Sequence, residues 1–198
     1  MIRLGVLGGS FDPIHLGHLA LAESARQQVH LDRVIFVPAG RQWRKTGREM
    51  TLPEERLAMV QLAIADSPHF EVSAIELERD GPSYTDVTLE ALHQSDPEAE
   101  LFFILGQDAL ADLPHWHDPQ RVVDLATLVV AGRPDSLGSG ASHAALGDLL
   151  ARIIWLDMPP IDVSSSSIRQ RVGEGASING LVHDRVADYV RTHKLYGA

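Results

Sequence analysis

Apolar residues come in short blocks along this chain, and the blocks alternate between two periods. Ile2, Leu4, Val6 and Leu7 form a nearly unbroken apolar run over residues 2–8, the pattern of a central parallel strand buried on both faces. An alanine- and leucine-rich stretch from His18 to Val29 then reads as a helix, and Arg33 to Val37 reads as the next strand, stopped by Pro38-Ala39-Gly40. Strand, helix and strand within about 35 residues predict a right-handed βαβ unit.

The pattern continues downstream. Thr51-Leu52-Pro53-Glu54 predicts a helix start, with Thr51 as N-cap and Glu54 closing a capping box, and Leu57, Met59, Val60, Ala63 and Ile64 supply a helical stripe. A strand is predicted over Phe70–Leu77. After Gly81-Pro82, a helix is predicted to open at Tyr84-Thr85, with Thr85 as its cap and Val87, Leu89 and Leu92 along it. Leu101 to Leu105 is the most apolar strand, followed by Gly106-Gln107-Asp108, a loop at Pro114–His117, a short helix near Arg121–Leu125 and a strand at Thr127–Ala131. Residues 132–143 are Gly- and Ser-rich and aperiodic. A strand at Ile153–Leu156 resumes the pattern, with Trp155 read as core. Four serines, Ser164 to Ser167, precede Ile168-Arg169-Gln170-Arg171, and the last helix runs from about Gly180 to His193. About six strands alternating with helices predict one three-layer α/β/α domain over residues 1–198 with a mainly parallel sheet, whose ligands bind beyond the C-terminal strand ends.

Composition narrows the options. The 198-residue chain carries 17 basic and 27 acidic side chains, a formal charge of −10, which argues against a general electrostatic footprint for nucleic acid. No window of about 18 apolar residues is present, so no transmembrane helix is predicted. The chain has no cysteine, which removes thiolate nucleophiles and cysteine zinc sites and suits a cytoplasmic location. Against this acidic background Arg41, Arg44, Lys45 and Arg48 form a basic run beside Trp43. It reads either as a solvated loop or as an anion-binding flap.

The chemistry concentrates after the first strand, where G-G-S-F-D-P-I-H-L-G-H spans Gly8 to His18. Neither a G-x-G-x-x-G nor a P-loop fingerprint is present. A strand that breaks at glycines and enters a helix leaves backbone N–H groups and a helix dipole facing one point, which favours a phosphate. His15 and His18 add donors on the same turn. No third ligand stands at useful spacing, so a metal pair is not predicted.

This stretch resembles the H-x-G-H signature of the nucleotidylyltransferase superfamily. Ser83-Tyr84-Thr85, Gly106-Gln107-Asp108, the Leu113–His117 loop and Ser164–Arg169 extend the resemblance, in order, to the bacterial nicotinate-nucleotide adenylyltransferases. Where that family often has Asn-Pro-Pro-His-Lys, this chain has Arg41-Gln42-Trp43-Arg44-Lys45. The resemblance implies a Rossmann-like fold and transfer of AMP from ATP to nicotinate mononucleotide, with Mg²⁺ carried by ATP. It implies ATP contacts at Gly8, Gly9, Ser10, Phe11, His15, His18, Gly106, Asp108, Ser166, Ser167 and Arg169. His15, His18 and Arg169 would serve the transfer itself, and Asp108 would meet a ribose hydroxyl. On the nicotinate mononucleotide side it implies Lys45 at the phosphate, Trp116 against the ring, and Thr85 with the backbone near His117 at the carboxylate. Arg171 could meet triphosphate or solvent. Homo-oligomer formation stays open; nucleic acid and membrane are not expected partners.

Overall fold

The computed structural model describes residues 1–40, 50–132, 153–159 and 161–197. The basic run with Lys45, and the Gly/Ser-rich stretch beyond Gly132, lie outside the described residues. In chain order the elements are β1 (Ile2–Gly9), α1 (Leu16–Val29), β2 (Arg33–Pro38), α2 (Pro53–Ile64), β3 (Phe70–Val72), α3 (Thr85–Ser95), β4 (Ala99–Gly106), α4 (Gln107–Asp112), α5 (Pro119–Leu125), β5 (Thr127–Ala131), β6 (Ile154–Leu156), α6 (Ser165–Gly173) and α7 (Asp184–Thr192). Single 3-10 turns lie at Leu113–His115 and Leu195–Gly197.

The strands form one sheet in the order β3-β2-β1-β4-β5-β6, the Rossmann order, in which the direction of winding reverses at β1. The β1–β4, β4–β5 and β5–β6 pairs are parallel, with Leu4 opposite Leu101, Phe103 opposite Leu128 and Val130 opposite Trp155. The fold is the α/β class with a parallel sheet expected from the alternation of strands and helices, in the Rossmann-like form that the resemblance implies.

By contacts the chain groups into two compact units. The first comprises residues 1–8, 21–35 and 83–160. Its core is built on Leu4, Val6 and Leu7 of β1, Leu101–Leu105 of β4 and Leu128–Val130 of β5, all buried. Trp155, expected in the core, is only half-buried, because β6 is an edge strand. The second unit comprises residues 9–20, 36–82 and 161–198. Phe36 packs against Phe11 and Phe70 at ring separations of 5.8 and 5.4 Å, and Met59, Val60, Ile168, Val186 and Val190 are buried.

Four local expectations are corrected. The Phe70–Leu77 strand ends at Val72: beyond Ser73, whose N–H still reaches the Phe36 carbonyl, the amides of Leu77 and Glu78 turn back to the Ala74 carbonyl. The chain therefore closes local turns in place of a ladder. The capping box of Thr51 and Glu54 does not form. Leu52 is the N-cap and Pro53 takes the first helical position, which its fixed φ suits, while the Thr51 carbonyl accepts from Arg56. Thr85 is likewise the first residue of α3, one position past its cap Tyr84. The first helix begins at Leu16, two residues earlier than expected, so both histidines belong to its start. The serine run, by contrast, is helical: Ser164 is the N-cap of α6.

Candidate active site

In the second unit the site is built on the start of α1. His15 occupies the capping position: its carbonyl accepts from the N–H groups of His18 (2.9 Å) and Leu19 (3.3 Å). His18, three residues on, returns the bond, since its Nδ1 accepts the His15 N–H at 3.2 Å. The histidine thus does what Glu or Gln does in a capping box. With Nδ1 an acceptor, the neutral ring carries its proton on Nε2, ready to donate. The rings of His15 and His18 stack at 3.6 Å and 21°, and the edge of Phe11 closes on His18 at 5.0 Å. Space at Gly17 is tight: a Cβ there would sit 3.1 Å from His15 Nδ1 and 3.0 Å from Val163 Cγ1, so one of these side chains would have to shift by a few tenths of an ångström. The x-G between the histidines is thus favoured by crowding.

Burial pushes His15 down to about 4 and His18 down to about 3, the latter helped by the neighbouring His15. Two cationic imidazoles at stacking distance would also repel. At neutral pH the pair is uncharged. His15 Nδ1 is buried without a hydrogen-bond partner, an uncommon state that a ligand oxygen or water would relieve.

The same unit holds α6. Ser164 Oγ accepts from the Ser167 N–H (3.1 Å) and Ser167 Oγ accepts from the Ser164 N–H (3.3 Å), a complete capping box. Ser167 is thus occupied as a cap in this conformation, whereas Ser166 is exposed and accepts from Arg169 Nη2 at 3.0 Å. Ser165 Oγ donates to the Pro13 carbonyl (2.9 Å) and Arg169 Nη1 to the Asp12 carbonyl (2.7 Å). The helix start is thereby fastened to the Gly9–His18 loop. The N–H groups of Ser165 and Ser166 have no partner within their helix, and with Arg169 they make an anion-attracting end.

Sequence reasoning missed the support beneath this loop. Arg56 is completely buried and donates from Nη1 to the Ser10 carbonyl (2.8 Å) and from Nε to the Thr51 carbonyl (3.0 Å). Burial lowers its pKa and the Asp12 carboxylate acts the other way. The signal was present, because Arg56 falls in phase with Met59, Val60 and Ala63 on the buried stripe of α2.

The first unit carries the residues expected on the nicotinate side. Tyr84 stacks on His117 at 4.0 Å and 15°, and His117 Nδ1 donates to the buried carboxylate of Asp86 at 3.1 Å. Thr85, between them in sequence, is half-buried at the head of α3. Trp116 is half-buried and meets buried Phe103 edge-on at 5.9 Å, so one edge is anchored while part of the ring stays accessible. Asp86, in phase with Leu89 and Leu92 on the buried side of α3, was also missed. Gly106 is the N-cap of α4, and a Cβ there would meet nothing within 4 Å, so the protein's own packing does not demand a glycine. Asp108 follows on the exposed side of the first turn and does not cap the helix. Gly8 closes the first unit's part of β1.

A Rossmann-ordered sheet, a neutral histidine pair capping a helix, and a serine-capped helix with an arginine define an α/β protein with an anion-attracting helix end. Comparison with known proteins makes this particular. The cytidylyltransferase-like family model matches residues 6–171. A probable nicotinate-nucleotide adenylyltransferase of Roseiflexus sp. (strain RS-1) is 49% identical over 197 residues, covering 98% of this chain and 97% of its own. Another, of Thermomicrobium roseum, is 43% identical over 99% of this chain and 92% of its own. Among solved structures, Plasmodium falciparum nicotinic acid mononucleotide adenylyltransferase complexed with NaAD superposes with a TM-score of 0.79 at 19% identity, over 99% of this chain and 98% of that one, and shows the shared fold. The chain belongs to the cytidylyltransferase-like family and, within it, to the nicotinate-nucleotide adenylyltransferases. Among the described residues no helix is long and apolar enough to cross a membrane.

Proposed function

We propose that this chain transfers the adenylyl group of ATP to nicotinate mononucleotide. An oxygen of the mononucleotide 5′-phosphate attacks the α-phosphorus in line, the bond from that phosphorus to the bridging α–β oxygen breaks, and pyrophosphate leaves with the electron pair. The products are nicotinate adenine dinucleotide and pyrophosphate. Such a reaction is accelerated by placement and by donors aimed at oxygens that gain charge in the transition state.

The observation that carries this reading is the His15–His18 pair. Its rings are neutral and stacked, and the tautomer of His18 is set by the backbone so that Nε2–H is a donor. A neutral donor strengthens as negative charge develops at the α-phosphate, and the approaching polyanion draws the pair toward protonation. Arg169 and the start of α6 take the β- and γ-phosphates in this reading, with Ser166 as the available hydroxyl. Asp108 receives a ribose hydroxyl. Trp116 covers the nicotinate ring, while Thr85 and the backbone at His117 donate to its carboxylate. Lys45 takes the mononucleotide phosphate. An amide in place of the acid would face these donors with an NH₂ group, the kind of mismatch that discriminates strongly.

Mg²⁺ belongs to this reading as the metal–nucleotide complex, neutralising charge on the triphosphate. Among the described residues no three His, Asp or Glu side chains group as a cage. In this reading the ion is held mainly by phosphate oxygens and water. We place the activity in the cytoplasm. The test is direct: the purified chain with ATP, Mg²⁺ and either nicotinate or nicotinamide mononucleotide, assayed for dinucleotide. Dinucleotide from the acid well above that from the amide is expected. Product from neither ends the enzymatic reading, and equal product from both ends the specificity alone.

A further inference from the structure

The polar network beneath the Gly9–His18 loop has a member that the reaction as described leaves unused. Tyr196 sits in the Leu195–Gly197 turn with φ of 61°, a left-handed conformation that is uncommon for a tyrosine and needs support from its surroundings. Its hydroxyl donates to Asp12 Oδ1 at 2.8 Å, is hydrogen-bonded with the Thr51 side chain, and lies 4.0 Å from Met59 Sδ. Asp12 is 2% exposed and has two functions at once. Its carboxylate receives Tyr196 and lies within electrostatic reach of buried Arg56, while its carbonyl receives Arg169 Nη1 at 2.7 Å. Arg169 in turn reaches Ser166 Oγ with Nη2. Tyr196 and Arg169 thus meet on one residue within one compact unit, Tyr196 at the carboxylate of Asp12 and Arg169, the guanidinium assigned to the triphosphate, at its main-chain carbonyl.

We propose that Tyr196 is a positioning residue for nucleotide binding, acting through Asp12 to hold Arg169 in the orientation that meets the triphosphate. This rests on the adenylyl-transfer reading only for the identity of the ligand. Physically, the hydroxyl fixes the Asp12 side chain, and a fixed Asp12 presents its carbonyl at one angle. An arginine fork already held at Nη1 by that carbonyl loses little freedom when a phosphate arrives. Burial, first, and the neighbouring carboxylate push the Tyr196 phenol well above the usual tyrosine range, so it stays a hydrogen donor throughout the working pH range.

The test is a double-mutant cycle in the full-length protein, read as the Kd for Mg-ATP and the KM for ATP. Tyr196→Phe is expected to weaken both about 3–10-fold, with the KM for nicotinate mononucleotide unchanged, and to add nothing in an Arg169→Ala background. A merely structural tyrosine would give the same loss in both backgrounds. That result, or no loss from Tyr196→Phe alone, overturns the proposal. Should Tyr196→Phe fail to fold, Asp12→Asn carries the same cycle with the same criteria. A wild type that binds Mg-ATP but makes no dinucleotide ends the adenylyl-transfer reading, and the binding cycle still decides the role of Tyr196. A wild type that does not bind Mg-ATP overturns both.

Discussion

His15 on His18, and Tyr84 on His117, are two face-to-face ring pairs of nearly equal geometry, at 3.6 Å and 21° and at 4.0 Å and 15°. They differ in the company of a carboxylate. His117 gives its Nδ1–H to buried Asp86, whereas Nδ1 of His18 takes a backbone N–H and Nδ1 of His15 has no partner. The difference follows what each cluster is proposed to meet. Beside a triphosphate, a protein carboxylate would compete with the ligand for the donors and repel it. The histidines are therefore left neutral, and the ligand supplies the negative charge. On the nicotinate side the task is to hold a few donors still, and a fixed anion that orients a ring serves that task.

The largest effect should come from breaking the charge-free pair. His18→Ala is expected to lower kcat about 10²–10³-fold, the order seen when a donor to developing charge is lost. It also removes the acceptor for the His15 N–H, about 1 kcal/mol as for other caps, so the thermal midpoint should fall only a few degrees. Near-wild-type turnover would remove His18 from the transfer step. Next in size, Trp116→Ala should raise the KM for nicotinate mononucleotide about 10–100-fold with a smaller change in the KM for ATP, as expected for the loss of one ring-on-ring stack. Equal changes in both constants would make Trp116 a packing residue anchored on Phe103. Smaller again, Asp86→Asn keeps the shape but weakens the hold on His117. A 3–10-fold rise in the same KM is expected, roughly one hydrogen bond, together with a narrower preference for acid over amide. An unchanged acid-to-amide ratio would separate Asp86 from specificity.

The two clusters were also unequally legible in the sequence. The parts of the phosphate side that the sequence showed are local: the strand, the glycine break, the histidines at i and i+3, and the serines before a helix lie within short windows, so period and capping chemistry reveal them. The cause of the glycine at 17 needed coordinates, because the crowding comes from Val163 as well as from His15. The nicotinate side joins Tyr84 and Asp86 to His117, about thirty residues away, and no periodicity reports such a contact. The same limit hid Tyr196 beneath Asp12, 184 residues apart. What could have been read was the misplaced charge. Arg56 and Asp86 each occupy a buried phase of an amphipathic helix, and a charged side chain there must have a partner or a task. The sheet order was legible as a class, from alternation alone, while the short β3 was not, because Ile75-Glu76-Leu77 alternates like a strand yet closes a turn.

The smallest effect tests the comparison without a ligand. In the folded chain His15 and His18 are pushed down to about 4 and about 3 by burial, against an ordinary value near 6.5. Below about pH 6.5 the unfolded chain therefore binds protons that the folded chain refuses, so stability must fall as pH is lowered through the window from about 6.5 to about 3. Unfolding followed by circular dichroism should show a midpoint lower by roughly 3–8 °C at pH 5.5 than at pH 7.5. The fall should shrink in the His15→Asn, His18→Asn double variant, which has no imidazole left to protonate there. Saturating Mg-ATP should flatten the wild-type curve, because a bound polyanion lets the pair accept protons without loss. A slope that is equal in the wild type and the double variant would mean that the histidines are not held neutral by the fold, and the contrast between the two ring pairs would then reduce to geometry.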